Sequence, residues 1–484
     1  MTSNNEYKPP EISQNTPIDE IDRIYALQQS NIKIQSQTKI SERIRKIKLL
    51  RNAVLEHREQ LKEAMFLDYN KPGSEVDLAE MLVFLNELKY CIRNVKQWTR
   101  KQHVGTPWFL LGANSYIVQE AKGHCLVISP WNYPIHLVLV PLMYSYAAGN
   151  VTMIKRSEFT PNTSKLVEKI ITSVFDQQEA AVVEGDVQTS THILSLKWNH
   201  IFFTGSPKVG KIIMQAAAEN LSGITLELGG KSPLIIDSSD GLKNSVKFTA
   251  ATKFVNAGQY CIAPDYIYVH KDVKDRFVKK LIDQIKIRYG GNDKEIITTD
   301  FSHILNQHHT RRVNALIEES ILQGATLEYG GGMDTRDDYI GPTIFSNVRD
   351  DMSICQNEIF GPVLYIKTFE NIQQAIDEIN KGEKPLSLYL FAKDSNVIRK
   401  VRSETSSGCM CINAVAINYY NYNLPFGGIN NSGLGKGHGH HSFLEFSNAK
   451  AVLNQWSPWV GVFLMFPPFT KTTKRLIDWL LKFF

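Results

Sequence analysis

The chain has 484 residues, of which 43% are hydrophobic and 21% are charged. These are ordinary globular proportions, so they exclude a disordered, collagen-like or fibrous chain, and the length suits two or three domains of about 100–200 residues each. The formal net charge of +5 is small for this length. Because no basic nucleic-acid-binding motif accompanies it, we expect no nucleic-acid partner.

The N-terminus and the cysteines predict a cytoplasmic protein. Residues 1–17 form a polar leader without the apolar stretch of a secretion signal. The six cysteines include no C-x-x-C pair and no Cys/His cluster with the spacing of zinc ligands. We therefore predict no disulfide framework and no metal site, as in proteins of a reducing compartment.

Two helical stretches follow the leader. Apolar residues recur at near-helical spacing from Ile40 to Met65, which predicts one long amphipathic helix. A second helix is predicted over residues 75–98. The basic residues of the first helix are interpreted as a solvated face rather than a membrane-binding one.

From residue 125 onward, short runs rich in β-branched residues alternate with helical stretches. The predicted strands are residues 125–129, 151–154, 180–183, 201–204 and 224–228, with helices at 134–148, 163–175 and 207–218. The alternation restarts with strands at 234–237 and 266–269 and helices at 242–255 and 273–288. Such alternation is typical of βαβ units around a parallel sheet, and the restart predicts a second α/β domain.

The C-terminal segment has a different composition. Residues 459–469 are mostly apolar, but prolines interrupt the run, and a helix of this length would span only about 16 Å of a bilayer core of about 30 Å. The last stretch places apolar residues on one face and Arg475, Asp478 and Lys482 on the other. Such an amphipathic helix either lies in a membrane interface or docks on the protein's own surface.

A glycine-rich segment follows the predicted strand 201–204. It nearly matches the phosphate-binding loop of nucleotide triphosphatases, but Ile212 stands where that motif has the hydroxyl that binds Mg²⁺. The G-x-G-x-x-G fingerprint of dinucleotide-binding folds is absent as well. Gly205, Ser206 and Gly210 therefore predict either an anion site suited to a pyrophosphate or a simple capped helix.

Three further residues are candidates for chemistry at the ends of predicted elements. Cys261 is either a thiol nucleophile or a structural cysteine. Glu227, beside two glycines, is either a desolvated general base or an exposed carboxylate. Asn132 either offers amide donors to an oxyanion or caps the next helix. No segment alone decides between its two interpretations.

Seven short motifs, taken together, are more specific. They are SPWNYP (129–134), KRSE (155–158), FTGS (203–206), ELGGKSP (227–233), GQYCIAPD (258–265), EIFGP (358–362) and LPFGG (424–428). In this order, and over residues 20–452, the chain resembles the aldehyde dehydrogenase superfamily. The short region before the cysteine, the CIAPDY form and the apolar tail resemble class 3, which includes fatty aldehyde dehydrogenases.

The resemblance implies a role for each matching residue. Cys261 would be the nucleophile, Glu227 the general base, and Asn132 would form the oxyanion hole with the Cys261 backbone N–H. Lys231 would be a supporting neighbour. The implied cofactor-binding residues are Trp131, then Lys155 and Glu158 at the adenine-side ribose, Gly205, Ser206 and Gly210 at the pyrophosphate, and Glu358 and Phe360 at the nicotinamide half.

The resemblance also implies an α/β, aldehyde dehydrogenase-like architecture and a homodimer. Its parts would be a Rossmann-type NAD(P)-binding domain (18–100 and 120–228), an α/β catalytic domain (229–418), a β-arm for oligomerisation (101–119 and 419–450) and an apolar, amphipathic tail (451–484). The composition of the tail itself predicts that it binds an anionic membrane surface, which would make the cytoplasmic protein peripheral on a membrane; the alternative is that it folds back over the substrate entrance.

The implied reaction is oxidation of a medium-chain, long-chain or other apolar aldehyde to a carboxylic acid. It would use NAD, with NADP as the alternative because Lys155 stands close to Glu158, and would proceed through a thiohemiacetal and a thioester. A CoA-acylating or reductive relative is one alternative, and Glu227 argues against it. A catalytically silent membrane-surface scaffold is another, and the intact set of Cys261, Glu227 and Asn132 argues against that.

One departure concerns the substrate entrance. Class 3 relatives usually have an aromatic residue before the His-Gly pair, whereas Gly437 precedes His438 here. The wall of the entrance is therefore not predicted by the resemblance.

Overall fold

The first part of the structure is helical. The computed structural model describes residues 15–110, 112–290, 300–334, 337–457 and 466–483. Helices α1 to α5 comprise Ile18–Ser36, Ile40–Glu56, Arg58–Tyr69, Gly73–Val76 and Leu82–Trp98, and strands β1 and β2 comprise Gln102–Val104 and Ala113–Ala121. A π-helical turn, Asp77–Met81, joins α4 to α5.

The single helix predicted over residues 40–65 is two helices. The backbone leaves helical geometry at His57, whose ψ is 11°, and α3 begins at the next residue. The His57 Nδ1 atom lies 2.8 Å from the Ala53 carbonyl oxygen in the last turn of α2. Because Leu50 of α2 and Leu61 of α3 are buried in the same core, the apolar spacing continues through the break and does not reveal it.

The first sheet follows the predicted alternation. Strands β3 to β7 comprise His124–Ile128, Val151–Lys155, Ala180–Val183, His200–Gly205 and Gly223–Leu228, and helices α6 to α9 comprise His136–Ala148, Pro161–Thr172, Val187–Ser195 and Pro207–Glu219. These strands are parallel in the order β7-β6-β3-β4-β5. The chain order reverses between β3 and β6, and open parallel sheets bind ligands at the carboxyl ends of strands at such a point.

The second sheet begins where the alternation restarts. Strands β8 to β16 comprise Ser232–Ile236, Pro264–His270, Thr326–Tyr329, Met333–Asp334, Tyr339–Ile340, Thr343–Ser346, Val363–Phe369, Ser387–Phe391 and Cys409–Ile412. Helices α10 to α15 comprise Lys243–Lys253, Lys274–Tyr289, Gln307–Leu322, Ser353–Gln356, Ile372–Lys381 and Ser395–Glu404. The sheet has the order β10-β13-β14-β9-β8-β15-β16, with β10 antiparallel to β13 and the other pairs parallel.

The C-terminal part completes the first sheet and a small third one. Strand β17, Gly433–Leu434, pairs antiparallel with β7, where Gly433 lies opposite Glu227. After helix α16, Gly439–Glu445, strand β18, Ser447–Gln455, pairs antiparallel with β2 along its whole length. Strands β1, β2 and β18 form a three-stranded arm sheet.

The arm sheet differs in extent from the prediction. The last strand of the arm sheet is β18, Ser447–Gln455. It begins well after residue 419, where the second part of the predicted arm starts, and it ends beyond the predicted boundary at 450. Residues 419–446 instead reach the large cavity described below. Gly427 and Gly433 have φ values of 152° and 149°, and these conformations, which favour glycine, let this stretch fold back onto β7.

The tail ends in an amphipathic helix. Helix α17, Lys471–Leu480, has no fully buried side chain, and Trp479 is 54% exposed. None of the helices in the described ranges is long and apolar enough to cross a bilayer. Residues 1–14 of the predicted leader and residues 458–465 of the predicted apolar tail lie outside the described part.

Candidate active site

A cavity of about 1580 Å³ lies where the two sheets meet. Most of the predicted site residues line it, namely Trp131, Asn132, Gly205, Ser206, Glu227, Lys231, Cys261, Glu358 and Phe360. Lys155, Glu158 and Gly210 do not line it. Among the described residues, no group of three His, Cys, Asp or Glu side chains could hold a metal ion.

Cys261 lies in a loop of unusual backbone conformation before β9. Asn256, Ala257 and Gly258 have φ values of 52°, 49° and 71°. The N–H of Asn256 donates a 3.0 Å hydrogen bond to Oε2 of Glu75, a partly buried carboxylate on α4. Left-handed conformations cost free energy in residues other than glycine, so contacts such as this one must hold the nucleophile loop.

The environment of the Cys261 thiol disfavours its charged form. Burial raises its pKa well above the usual 9.0, and the neighbouring carboxylates of Glu358 and Glu227 raise it further. The thiolate is the nucleophilic form. Burial and the two carboxylates therefore favour the neutral thiol of Cys261 over its thiolate.

Asn132 is fixed from several sides. Its side-chain Nδ2 donates a 3.0 Å hydrogen bond to the Gln259 carbonyl oxygen, in the loop that carries Cys261. Its own carbonyl oxygen accepts hydrogen bonds from the Tyr69 hydroxyl at 3.0 Å and from Asn256 Nδ2 at 3.2 Å. A side-chain amide has two N–H donors, so one donor of Asn132 is left for a ligand.

Glu227 is a buried carboxylate without well-formed hydrogen bonds. It occupies β7 opposite Gly433, is 8% exposed, and neither of its oxygens has a partner among the described residues. Burial raises its pKa well above 4.5, against the opposing effect of Lys436. Buried polar groups are normally satisfied, so an unsatisfied carboxylate that faces a cavity indicates function.

A second carboxylate, that of Glu358, approaches the backbone of the connection between β7 and β8. Burial, with a contribution from Asp265, raises the pKa of Glu358 to about 8. A Cβ atom at Gly229 would lie 2.1 Å from Oε2 of Glu358. Glycine at this position therefore lets Glu358 approach the backbone, a geometry that a larger residue would prevent.

Lys231 and Trp131 support the same side of the cavity. Lys231 pairs with Asp265 and donates to the Asn357 carbonyl oxygen at 2.8 Å, just before Glu358. The rings of Trp131 and Phe360 meet edge to face with centroids 5.5 Å apart. Lys231 and Trp131 thus contact residues 357–360, the segment that contains the residues predicted to bind the nicotinamide half of the cofactor.

Helix α9 starts at the carboxyl end of β6. Ser206 is its N-cap and accepts a 3.4 Å hydrogen bond from the Val209 N–H, and Pro207 is its first residue. Gly210 packs so closely against Leu228 that a Cβ would lie 2.7 Å from that side chain. Because Gly205 and Ser206 line the cavity, the N-terminus of α9 faces it, as an anion site requires.

Lys155 and Glu158 form an ion pair at the end of β4. Lys155 Nζ lies 2.6 Å from Glu158 Oε2, and Lys155 is buried whereas Glu158 is partly exposed. The two side chains are adjacent to β3, whose carboxyl end leads to Asn132.

Aromatic residues form the wall on the substrate side. The Tyr419 ring meets His438 at 4.4 Å and Phe426 at 4.8 Å between centroids, and all three residues line the cavity. A Cβ at Gly437 would lie 3.5 Å from Glu227 Oε1. The glycine before His438 therefore leaves room beside Glu227 that an aromatic side chain would fill.

Sequence reasoning missed the residues that hold the nucleophile loop. Gln259 is fully buried and its amide donates to the His303 carbonyl oxygen at 2.9 Å and accepts from the Leu305 N–H at 3.0 Å. Gln259 lies inside the GQYCIAPD motif, so its position next to Cys261 was a signal. Glu75, in contrast, lies in a segment that reads as an ordinary helix start.

Sequence comparisons identify the family. The aldehyde dehydrogenase family pattern matches residues 11–452. The 4,4'-diaponeurosporen-aldehyde dehydrogenase of Staphylococcus aureus is 39% identical over 86% of this chain and 90% of its own length. Aldehyde dehydrogenase family 3 member A2 of Pongo abelii is 36% identical over 90% of this chain and 88% of its own length.

Comparisons with solved structures agree. The substrate-bound state of Staphylococcus aureus AldH has a TM-score of 0.90 and 36% identity, over 95% of this chain and 99% of that one. Betaine aldehyde dehydrogenase of the same species, in complex with NAD+, has a TM-score of 0.82 and 27% identity, over 92% and 89%.

The chain belongs to the aldehyde dehydrogenase family. It is an NAD(P)-dependent oxidoreductase that acts on aldehydes, and the predicted resemblance, α/β fold and enzyme class are confirmed.

Alkylation of the protein by iodoacetamide tests the thiol environment. Because burial and nearby carboxylates raise the pKa of Cys261, the rate should increase with pH throughout the alkaline range. Above about pH 8 the Glu358 carboxylate is ionised and opposes thiolate formation. Glu358→Gln should therefore be alkylated faster than the parent at the same alkaline pH.

The site of modification is checked by mass spectrometry. Cys261→Ala should lose the alkylation that inactivates the enzyme, whereas Cys409→Ala, which removes a neighbouring buried thiol, should keep it. A Glu358→Gln profile identical to that of the parent would show that the carboxylate does not influence the thiol.

Proposed function

We propose that Cys261 is the nucleophile, Glu227 the general base and Asn132 the oxyanion donor of an oxidation of apolar aldehydes to carboxylic acids. The observation that carries this proposal is the buried, unpartnered carboxylate of Glu227 in the cavity that Cys261 and Asn132 also line. A carboxylate that has no hydrogen-bond partner in the resting protein is suited to accept a proton from water once the substrate is bound.

The first step forms a bond from Cys261 Sγ to the aldehyde carbon. The thiol first gives its proton to solvent, and the thiolate then attacks. The electron pair of the C=O double bond moves to the carbonyl oxygen, which becomes an oxyanion. The free N–H of Asn132 and the backbone N–H of Cys261 stabilise that oxygen, because donors fixed in advance need no reorganisation. Trp131, Glu358 and Phe360 would hold a nicotinamide cofactor, which would supply the hydride acceptor. Loss of the hydride from the aldehyde carbon would leave a thioester on Cys261.

The second step hydrolyses the thioester. Glu227 takes a proton from a water molecule, whose oxygen attacks the thioester carbon. The bond between that carbon and Cys261 Sγ then breaks, the carboxylic acid is released, and the proton held by Glu227 returns to the Cys261 thiolate. Burial raises the pKa of Glu227, so its carboxylate is a stronger base than an exposed glutamate. The room beside Gly437 gives water a place next to this carboxylate.

The residues around the cavity fit a dinucleotide cofactor. The open N-terminus of α9, with Gly205 and Ser206, suits a pyrophosphate, and the cavity reaches from there to Glu358 and Phe360. Lys155 and Glu158 would hold the adenine-side ribose. Glu158 favours NAD because a carboxylate accepts a hydroxyl hydrogen and repels a 2′-phosphate.

The substrate class follows from the aromatic wall. Tyr419, Phe426 and His438 offer apolar and polarisable faces to a ligand, which suits long-chain or unsaturated aldehydes. The alternative, transfer of the acyl group to CoA, gives no role to a buried water-activating base such as Glu227. Formation of NADH from a panel of aldehydes, with and without CoA, distinguishes the two.

We further infer that the protein is a homodimer joined through the arm sheet. The arm strands carry exposed side chains, and β16 is the edge strand of the second sheet. Unpaired strand edges accept another chain readily. Sedimentation should give twice the mass of one chain, and a monomer would contradict the inference.

The tail is proposed to contact anionic membrane surfaces of the cytoplasm as a peripheral anchor. Phe466 and Phe469 are 56% and 47% exposed, and helix α17 carries exposed aromatic and basic side chains. Apolar burial and attraction of basic residues to anionic headgroups reinforce each other at a lipid interface.

Glu227→Gln should separate the two chemical steps. The thioester still forms, so NADH should appear in an initial burst, but turnover should then fall by about 100-fold or more, as for loss of a general base. Rapid-mixing absorbance measures both phases. Glu328→Gln is the control, because Glu328 lies on the second sheet, pairs with Lys274 at 3.3 Å and does not line the cavity. Loss of the burst itself would instead assign Glu227 to thiol activation.

Glu158→Gln should improve the use of NADP relative to NAD. Removing the carboxylate should raise kcat/KM for NADP, relative to kcat/KM for NAD, by about tenfold, which corresponds to about 1.4 kcal/mol. The control is Glu168→Gln, because Glu168 pairs with the neighbouring Arg156 at 2.7 Å. An unchanged ratio in Glu158→Gln would show that this side chain does not contact the ribose.

Deletion of the residues after Gln455 should weaken membrane binding and leave the arm sheet whole, since β18 ends there. Pelleting with anionic liposomes should fall, and so should the preference for long-chain over short-chain aldehydes. A full-length variant with Lys471, Lys474, Arg475 and Lys482 replaced by serine should lose only the pelleting. If the truncated protein still pellets and keeps its chain-length profile, the tail is only a structural cap.

A further inference from the structure

A buried chain of polar groups ends on the backbone of Asn132. Glu80 and Lys71 are both fully buried, and Glu80 Oε1 lies 3.9 Å from Lys71 Nζ. Lys71 Nζ in turn lies 3.4 Å from the Asn132 carbonyl oxygen and 3.8 Å from the centroid of the Tyr133 ring. These contacts thus link the carboxylate of Glu80 to the segment that carries Asn132, the proposed oxyanion donor.

Glu80 lies on the π-helical turn Asp77–Met81. Turns of this kind are rare, and they occur frequently at functional sites because the extra residue redirects a side chain. Here the turn delivers a carboxylate into the interior. The burial of Glu80 and its backbone conformation are independent observations that single it out.

Glu80 also caps the helix that follows Asn132. Its Oε2 accepts hydrogen bonds from the N–H of Ile135 at 3.2 Å and of His136 at 2.8 Å. Helix α6 has no side-chain cap of its own, so Glu80 satisfies donors that would otherwise be buried without partners. Asn132 lies three residues before Ile135, so the cap and the Lys71 contact hold its segment from both ends.

His136 fixes the orientation of the Glu80 carboxylate. Its Nδ1 lies 3.0 Å from Glu80 Oε2 and its Nε2 lies 2.8 Å from the Tyr419 hydroxyl. A carboxylate paired with Lys71 is an acceptor, so Nδ1 carries the hydrogen and Nε2 accepts the Tyr419 O–H. The carboxylate is thereby braced against the opposite wall of the cavity.

We propose that Glu80 is a positioning residue for the oxyanion hole. Through Lys71 and the N-terminus of α6, it holds Asn132 at the nucleophile loop, so that the free N–H of Asn132 is preorganised. Glu80 does not line the cavity, so it acts only through these neighbours. The inference rests on the proposed function, in which Asn132 is the oxyanion donor.

A double-mutant cycle tests the inference. The rate of NADH formation in the first turnover is measured for the parent, Glu80→Gln, Asn132→Ala and the double variant with one aldehyde. Loss of an oxyanion donor slows reactions by about 10²–10³-fold, so Asn132→Ala should fall in that range and Glu80→Gln should slow the step at least about tenfold. Because Glu80 acts through Asn132, the double variant should be within about twofold of Asn132→Ala.

The control is Glu179→Gln. Glu179 is also a largely buried carboxylate with a lysine, a tyrosine and a backbone N–H as partners, namely Lys46, Tyr146 and Asp176, but it does not line the cavity. This variant should keep the first-turnover rate within about twofold, which is the scatter expected for independent sites. Affinity for NAD should stay unchanged in all variants, since none of these residues belongs to the proposed cofactor site.

Each contrary result has one meaning. If the two effects multiply in the double variant, or if Glu80→Gln is no slower than Glu179→Gln, Glu80 does not act through Asn132 and the inference is wrong. If Asn132→Ala leaves the first turnover unchanged, the proposed function of Asn132 fails instead. Should Glu80→Gln not fold, Lys71→Met combined with Glu80→Gln removes both buried charges and enters the same cycle in its place.

Discussion

The site depends on the burial of ionisable groups at the junction of the two sheets. Burial disfavours charge on Cys261 and on Glu227, so the resting protein keeps a poor nucleophile beside a carboxylate that readily holds a proton. The same desolvation strengthens every hydrogen bond to a developing oxyanion, so protection and catalysis have a common physical origin.

Rigidity around this junction comes from buried amide and carboxylate groups rather than from apolar packing alone. Three consecutive left-handed residues carry the chain into Cys261, and Gln259 and Asn256 bind backbone groups on both sides of that turn. Asn132 is tied to the same loop through the Gln259 carbonyl oxygen. Cys261 and Asn132, the proposed nucleophile and oxyanion donor, therefore share one support, and a displacement of either would disturb the other.

Much of the fold was predictable because local patterns determine it. The strand predicted over residues 180–183 is found at Ala180–Val183, since a short β-branched run between polar segments has few alternatives. The break at His57 was missed because the apolar spacing continues through it. The bounds of the last arm strand were missed because that strand pairs with residues more than 300 positions away in the chain. For the site, motifs disclosed the cavity-facing side chains. Burial of Glu75, Glu80 and Lys71 could not be read from a sequence in which helical carboxylates and lysines normally face solvent.

The pairing of Gly433 with Glu227 makes the active site a late product of synthesis. Residues 132, 227 and 261 leave the ribosome well before strand β17, and β18 must still reach back to β2. Until then β17 does not cover the edge of β7 that carries Glu227. Such long-range pairing slows folding, and it also ensures that a nascent or prematurely terminated chain carries the reactive groups without the enclosure that makes them an enzyme.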